Sequence, residues 1–220
     1  PGDIFYIHSR LLERATHLRE DLGGGSLTAL PIIETEAQNM AAYIPTNLIS
    51  ITDGQIYLSP TLFELGLLPA IDIGRSVSRV GDKAQLAVYR SATGSLKLEH
   101  AQFEELESFS RFGTRLDERT KNILEHGRRI REVLKQPESN PVPVVEQVVL
   151  LMALNHRLFD KIPLAEMKEA EAAVRQVAGQ LPEAAAKAFF AEEQLSETHR
   201  QTVLDLCAKA LEPFQPGSHE

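Results

Sequence analysis

The 220-residue sequence has no tryptophan, a single cysteine and no long apolar run, and each absence excludes a class of protein. Cys207 stands alone, which excludes an intramolecular disulfide and a cysteine-based zinc or iron–sulfur site. No apolar segment has the length of a membrane-spanning helix. The formal net charge of −8 disfavours a protein that binds nucleic acid by neutralising its phosphates.

Several motifs that carry chemistry are also missing. The seven histidines are scattered, with no pair at metal-ligand spacing, so we predict no metal site and expect most of them at the surface. A Gly-x-Ser-x-Gly nucleophile motif is absent. Residues 23–26 read Gly-Gly-Gly-Ser, but the Gly-Lys-Ser/Thr that completes a phosphate loop does not follow. We interpret this run as a loop between a helix and a strand.

The first part of the chain alternates helical and strand signals. Asp3 is placed to cap a helix that the apolar spacing continues to Leu22, and short apolar strands are predicted over residues 27–33, 55–58 and 70–73. Residues 48–51 are too short a run for periodicity to separate helix from strand. Ser59 and Pro60 then mark the start of a brief helix. Residues 1–85 are therefore predicted as an α/β domain portion with a mostly parallel sheet.

The remainder of the chain has a helical pattern. Helices are predicted over residues 98–112, over residues 116–134 after a cap at Thr114, and over residues 144–160. Two or three more follow between residues 163 and 211. We therefore predict an all-helical bundle over residues 86–212 and a flexible tail over residues 213–220.

Arg79 is the candidate functional residue that the strand pattern singles out. The apolar strand at residues 70–73 breaks into glycine, hydroxyl residues and two arginines. In open α/β sheets, ligands and catalytic side chains gather beyond the carboxyl ends of strands, which is where Arg79 would lie. The alternative is that Arg79 pairs with a carboxylate in a structural loop, and the motif alone favours that alternative.

Several segments of the chain closely resemble the α subunits of F-type ATP synthases: residues 1–3, 5–6, 8–15, 24–31, 43–47, 49–55 and 76–81. Residues 76–81 do not resemble the catalytic β subunit. After Leu158 the chain resembles the α subunits in composition only. The resemblance implies the carboxyl half of an α subunit, namely the later part of a RecA-like P-loop NTPase nucleotide domain followed by a helical domain. The start at Pro1-Gly2-Asp3, without a methionine, leads us to expect a fragment whose Walker A loop and Walker B aspartate lie upstream.

The resemblance implies a role for Arg79 that lies outside this chain. Arg79 would be an arginine finger that the α subunit supplies in trans to the ATP site of a neighbouring β subunit, with Ser50 in a supporting polar role. In the full complex the cofactors would be ATP or ADP with Mg²⁺, and the partners would be the β subunits of an α3β3 ring and the γ shaft. The complex would lie peripherally on the cytoplasmic face of the bacterial plasma membrane. It would contact the bilayer only through its membrane sector. The isolated fragment is expected to be inactive.

The family's α subunit also binds a nucleotide that it does not turn over. Phe63, Pro69 and Gln136 match the positions that line its adenine pocket. Leu68 replaces the usual arginine and Glu138 the usual glutamine, so we expect altered or weaker purine binding. These departures, together with an arginine at position 75 where the family has an apolar residue, indicate an alternate bacterial subtype, resembling the N-ATPases.

Two other functions remain open at this point. In the first, the bundle is a non-catalytic interaction module that docks a partner, and the sheet portion is only a platform. In the second, the chain belongs to a RecA-like hexameric translocase, although the acidic charge and the absence of an aromatic and basic track disfavour nucleic acid as a partner. The sequence does not distinguish proton from sodium as a coupling ion.

Overall fold

The computed structural model describes residues 2–110, 117–191 and 194–216, except the side chains of Asp82 and Ser110. Within these ranges the chain forms ten α-helices and four short β-strands. The backbone divides into two compact units. The first comprises Pro1–Tyr57 with Arg75–Val80, and the second comprises Leu58–Gly74 with Gly81–Glu220.

Two helices, α1 (Gly2–Leu12) and α2 (Tyr43–Ile51), pack against each other in the first unit. Helix α1 is shorter than predicted from the apolar spacing. It ends at Leu12 and does not reach Leu22, because the chain enters a hairpin from Thr16 onward. Residues 48–51, which periodicity left ambiguous, form the last turn of α2.

A small antiparallel hairpin lies between these helices in the chain. Strands β1 (Thr16–His17) and β2 (Ser26–Leu27) pair with Thr16 opposite Leu27. The three glycines at residues 23–25 have φ values of 97°, 65° and 91°, which residues with a Cβ rarely adopt. The glycine run is therefore a loop, as predicted, but it lies within a hairpin between β1 and β2 and does not directly follow the first helix. Its conformation explains the choice of glycine.

A strand, a short helix and a second strand follow in sequence: β3 (Gly54–Leu58), α3 (Pro60–Glu64) and β4 (Ile71–Ser78). Strands β3 and β4 pair with each other. The Ser59 hydroxyl accepts a hydrogen bond from the Leu62 amide at 3.4 Å, and a proline occupies the first helical position. The local signals for β3 and for the cap of α3 are thus confirmed.

The sheet differs from the prediction of a mostly parallel arrangement. In the part of the chain that the structure describes, the strands form two separate pairs, and no third strand lies beside either. The predicted strand over residues 27–33 contributes only Leu27 to a pair, while Leu30 and Ile32 are 81% and 97% exposed. A parallel strand needs neighbours and covered faces, and the described residues supply neither to this run.

Seven helices make up the C-terminal part of the second unit within the described ranges, which confirms the predicted helical domain. They are α4 (Ala87–Thr93), α5 (Leu96–Ser110), α6 (Glu118–Val133), α7 (Val144–Asn155), α8 (Met167–Val177), α9 (Glu183–Ala188) and α10 (Glu197–Leu211). The N-terminus of α6 is capped by Asp117, whose carboxylate accepts a hydrogen bond from the Thr120 amide at 2.7 Å. The predicted cap at Thr114 lies outside the described residues.

The hydrophobic core of this unit is built around α7, which packs against α4, α8 and α10. Helix α7 is apolar on most of its circumference, and Val148, Val149 and Leu154 are fully buried. A helix with this composition is stable in water only when other helices surround it. Full burial of each such side chain stabilises the fold by about 1.5–3 kcal/mol.

The predicted tail begins with a described turn. Residues Glu212–Phe214 form a short 3₁₀ helix, and Phe214 packs against the core. Residues 217–220 of the predicted tail lie outside the described residues.

Candidate functional site

Arg79 directly follows β4 and lies at the C-terminal end of α2, within the first unit. Its Nη2 donates a hydrogen bond to the Ile49 carbonyl at 2.7 Å, and its Nη1 donates to the Ser50 carbonyl at 3.1 Å. Its backbone amide donates to the Asp53 carbonyl at 2.7 Å. The side chain is nevertheless exposed. The guanidinium is thus held at two points while it remains open to solvent.

The end of α2 explains why an arginine is held there. The last carbonyls of a helix lack intrahelical partners and carry partial negative charge, which attracts a cation. The Thr52 hydroxyl and amide lie 2.8 Å and 3.0 Å from the Leu48 carbonyl oxygen, and Arg79 occupies the next two carbonyls. The Ser50 hydroxyl donates to the Asn47 carbonyl at 2.7 Å. The structure therefore brings the two predicted residues, Arg79 and Ser50, together through the Ser50 carbonyl.

Two contacts in the first unit fix the chain just before Arg79. A Cβ at Gly54, whose φ is 151°, would lie 2.1 Å from the Val77 carbonyl oxygen, so the two backbones approach as closely as glycine allows. The Arg75 guanidinium lies 5.0 Å from the centre of the Tyr57 ring, and its Nη1 donates to the Tyr57 hydroxyl at 3.2 Å. Arg75, the unusual residue of this segment, is thus anchored on an aromatic side chain.

The predicted adenine-pocket residues lie in the second unit and are only partly brought together. The backbone amide of Gln136 donates a hydrogen bond to the Leu68 carbonyl at 2.9 Å, which places Gln136 beside Pro69. Leu68 and Pro69 line a cleft of about 60 Å³. Phe63 is 66% exposed and is not among the residues that line this cleft. The adenine-binding role of these residues stays a prediction.

The wall of the same cleft carries His100, Glu104 and Arg131. Burial lowers the pKa of His100, and the nearby Arg131 charge lowers it further. Burial also raises the pKa of Glu104, with the charge of Asp72 as a smaller cause. Both shifts favour the neutral forms, so the cleft wall disfavours charge, apart from the arginine.

The environment of His126 was not predicted, since the sequence indicated only that most histidines lie at the surface. The side chain is only 3% exposed and lies between the carboxylates of Glu99 and Asp160. Position 126 falls three residues after Ile123 and four before Ile130, and Ile130 is buried. The helical periodicity of α6 was therefore the signal that could have placed His126 inside.

Helix α6 carries three arginines close together in the sequence, at residues 128, 129 and 131, and they do not form a single surface patch. Arg129 is 9% exposed and donates from Nε to the Ile162 carbonyl at 3.1 Å. Arg131 donates to both carboxylate oxygens of Glu107, at 3.0 and 2.8 Å. Two of the three arginines thus hold the helical domain together, whereas Arg128 is exposed.

Two features are absent from the residues that the structure describes. No group of three or more histidine, cysteine, aspartate or glutamate side chains is arranged to hold a metal ion in the described ranges. None of the helices that the structure describes combines the length and the apolar character needed to cross a bilayer.

Two family models match consecutive parts of the chain. The model described as the nucleotide-binding domain of the ATP synthase alpha/beta family matches residues 1–78. The model described as the C-terminal domain of the ATP synthase alpha/beta chain matches residues 85–210. The first match contains Ser50 and strand β4 and ends one residue before Arg79, and the second match begins just before α4.

Individual relatives agree with these matches. The chain is 66% identical over 220 residues to ATP synthase subunit alpha 2 of Polaromonas naphthalenivorans, and 66% identical over 212 residues to the protein of that name from Nitrosospira multiformis. It is 61% identical over 220 residues to ATP synthase subunit alpha 1 of Psychromonas ingrahamii. These alignments cover 100%, 96% and 100% of this chain but 42% of each relative. Since family models match both halves, the chain belongs to the ATP synthase alpha/beta family.

Proposed function

We propose that this chain is the carboxyl half of the non-catalytic α subunit of a rotary F-type ATP synthase, and that Arg79 acts in trans at the ATP site of a neighbouring β subunit. The observation that carries the proposal is an exposed guanidinium held by two carbonyls at the end of α2, beside Ser50. The relatives named as alpha subunits support the choice of subunit. The matched ranges, 1–78 and 85–210, support domain boundaries at residues 1–85 and 86–212.

The chemistry of guanidinium suits this role. A guanidinium group has five N–H donors and stays protonated at any physiological pH. Two of these donors in Arg79 form hydrogen bonds to carbonyls of α2. The remaining donors can reach the oxygens of a phosphoryl group on which negative charge develops. Arginine fingers that act in trans accelerate phosphoryl transfer by roughly 10³–10⁵. Ser50 would support this geometry by keeping the last turn of α2 in place.

The nucleotide and its Mg²⁺ would be bound largely by groups outside this chain. The described residues contain no cluster that fits a divalent cation, so we assign no metal ligand here. In the complex, Mg-ATP would occupy the β site that Arg79 completes. By itself this chain is expected neither to bind ATP tightly nor to hydrolyse it.

The α subunit's own nucleotide site would be weak for purines. Leu68 and Pro69 present apolar surface to a cleft of about 60 Å³, and Leu68 offers no guanidinium. Glu138 places a carboxylate where an amide would both donate and accept hydrogen bonds. Phe63, Pro69 and Gln136 would still mark the adenine position.

The partners that follow from this proposal are the β subunits of an α3β3 ring and the γ shaft, with no nucleic acid. The complex would lie on the cytoplasmic face of the bacterial plasma membrane and contact the bilayer only through its membrane sector. Relatives named subunit alpha 2 and the unusual Arg75 favour the alternate bacterial subtype. Co-purification with β and γ subunits separates this proposal from an unrelated interaction module.

The test is Arg79→Ala and Arg79→Lys in the full subunit, assembled with its β and γ partners. Both variants should assemble and bind ATP, while ATP hydrolysis falls by at least about 10³-fold in the alanine variant. Lysine keeps the charge but not the planar pair of donors, so it should rescue little of the rate. Arg14→Ala, which removes an exposed arginine of the same unit, should leave the rate unchanged. Retained turnover in Arg79→Ala would refute the role in trans.

A further inference from the structure

Three elements of the second unit meet at the imidazole of His126. The ring belongs to α6, and its Nε2 lies 3.0 Å from Oε2 of Glu99 on α5. Its Nδ1 lies 2.5 Å from Oδ1 of Asp160, in the segment that follows α7. Both ring nitrogens therefore face carboxylate oxygens that come from different elements. The ring is 3% exposed, so water does not replace either partner easily.

Arg157 closes the cluster from the outside. It donates to Glu99 at 3.3 Å and to Asp160 at 3.4 Å, on the carboxylate oxygens that His126 does not contact. Arg157 has a φ of 58°, and the amides of Arg157 and Leu158 donate to the Leu154 and Ala153 carbonyls in the manner of a helix C-terminal cap. The backbone at Arg157 therefore has a strained left-handed conformation, and its side chain contacts the carboxylates of both Glu99 and Asp160.

The number of protons on the ring decides how many of these contacts attract. An imidazolium carries a hydrogen on each nitrogen and donates to both carboxylates, whereas a neutral imidazole carries one and points a lone pair at the other. Two partly exposed carboxylates facing a neutral ring and Arg157 leave one excess negative charge beside the buried imidazole. Imidazole groups exchange this proton between about pH 5 and 8.

Charged groups from several elements face the ring. Glu99 faces it from α5, and Asp160 with Arg157 faces it from the segment after α7. On α6 itself, Arg119 lies across an adjacent polar cleft, and Arg129 lies beside Asp160. Burial would raise the pKa of Asp160, but the hydrogen bond and charge of His126, with Arg157 and Arg129, hold that pKa below its usual range. Asp160 is thus ionised whenever imidazolium is present.

We propose that His126 is a pH-sensitive clamp, which ties α5 and the segment after α7 to α6 when its ring is doubly protonated and releases one of them when the ring loses a proton. The clamp is independent of Arg79, because all four of its side chains lie in the other unit. Its expected consequence is that the segment containing Asp160 opens more often once the ring has lost a proton.

The experiment measures backbone amide exchange in the full subunit, for the native protein and for His126→Gln, near pH 5.5 and near pH 8.5. The ratio of the two proteins at one pH cancels the intrinsic dependence of exchange on pH. A glutamine does not titrate in this range, so residues around Asp160 should open roughly tenfold more in the variant at the lower pH. The ratio should fall to less than about twofold at the higher pH, where the native clamp has also loosened.

His199→Gln is the matched control, since it removes an imidazole from α10, a helix that contributes no side chain to the cluster. It should give a ratio near one at both pH values, and a ratio with the same pH dependence as His126→Gln would overturn the clamp. An unchanged ratio for His126→Gln across the two pH values would also overturn it. In case the variant folds poorly, ¹⁵N shifts of the His126 ring in the native protein provide a second readout. A ring that keeps the same number of protons from about pH 5.5 to 8.5 contradicts the proposal.

Discussion

Replacement of Gly127 by alanine tests the packing of α5 against α6. Gly127 lies on α6 directly over Phe103 of α5, which is fully buried. A Cβ at position 127 would lie 2.1 Å from Cγ, 2.3 Å from Cδ2 and 2.4 Å from Cβ of Phe103. These are the atoms nearest the backbone of the phenylalanine, so a change of its ring rotamer cannot remove all three contacts.

The surroundings of Phe103 set the size of the effect. The guanidinium of Arg131, one turn further along α6, lies 4.3 Å from the ring centre, and two hydrogen bonds to Glu107 hold it there. The ring is therefore enclosed, and overpacking should cost about 3 kcal/mol, the upper part of the usual range. Alanine regains about 1 kcal/mol of helix propensity. The expected net loss of stability for Gly127→Ala is about 2 kcal/mol.

Urea unfolding followed by helical circular dichroism measures this loss. With a slope of about 2 kcal/mol per molar urea, the midpoint should fall by about 1 M. Gly179→Ala is the matched control, because its Cβ would meet nothing within 4 Å and its φ is not in the left-handed region. The control should be unchanged or more stable by up to about 1 kcal/mol. A midpoint for Gly127→Ala at or above that of the native chain would refute the reasoning.

Two further predictions concern ionisable groups. Burial raises the pKa of the Cys207 thiol to about 12, so iodoacetamide at pH 8 should leave the folded chain unmodified and alkylate it in urea; equal rates would contradict this. Hydrogen bonds from Thr120 lower the pKa of Asp117 below the ordinary carboxyl range near pH 4. The cap of α6 should therefore persist at neutral pH and be lost only at a pH below that range. Asp117→Asn should abolish this acid dependence of amide exchange at Thr120, and a variant that keeps it would disprove the capping role.

The sequence predicted the elements whose signals are local. A capping serine followed by proline predicts the start of α3, because both residues act on the first turn alone. The apolar run from Val144 predicts α7, because a helix apolar on most of its surface must be buried. The cap of α6 was expected at Thr114, in a stretch with several candidate hydroxyl and carboxyl residues, and the described cap is Asp117.

The sheet and the buried polar groups could not be predicted in the same way. Strand pairing depends on partners that are distant in the chain. The prediction of a strand over residues 27–33 assumed such partners, which the sequence does not identify. His126 and Arg129 are buried because Asp160 and the Ile162 carbonyl, more than thirty residues away, satisfy them. Periodicity assigns these two side chains to the inner face of α6, but it does not supply their partners.

The two interpretations of Arg79, as a structural residue and as a functional one, are compatible for an electrostatic reason. Its side-chain hydrogen bonds in the described residues go to the Ile49 and Ser50 carbonyls at the end of α2. A helix C-terminus carries roughly half a negative charge, whereas a carboxylate partner would carry a full one and neutralise the arginine. The carbonyls therefore hold the guanidinium in place yet leave most of its positive charge available. Had the expected carboxylate been the partner, Arg79 would have been positioned equally well but would have offered far less charge to a phosphoryl group on another subunit.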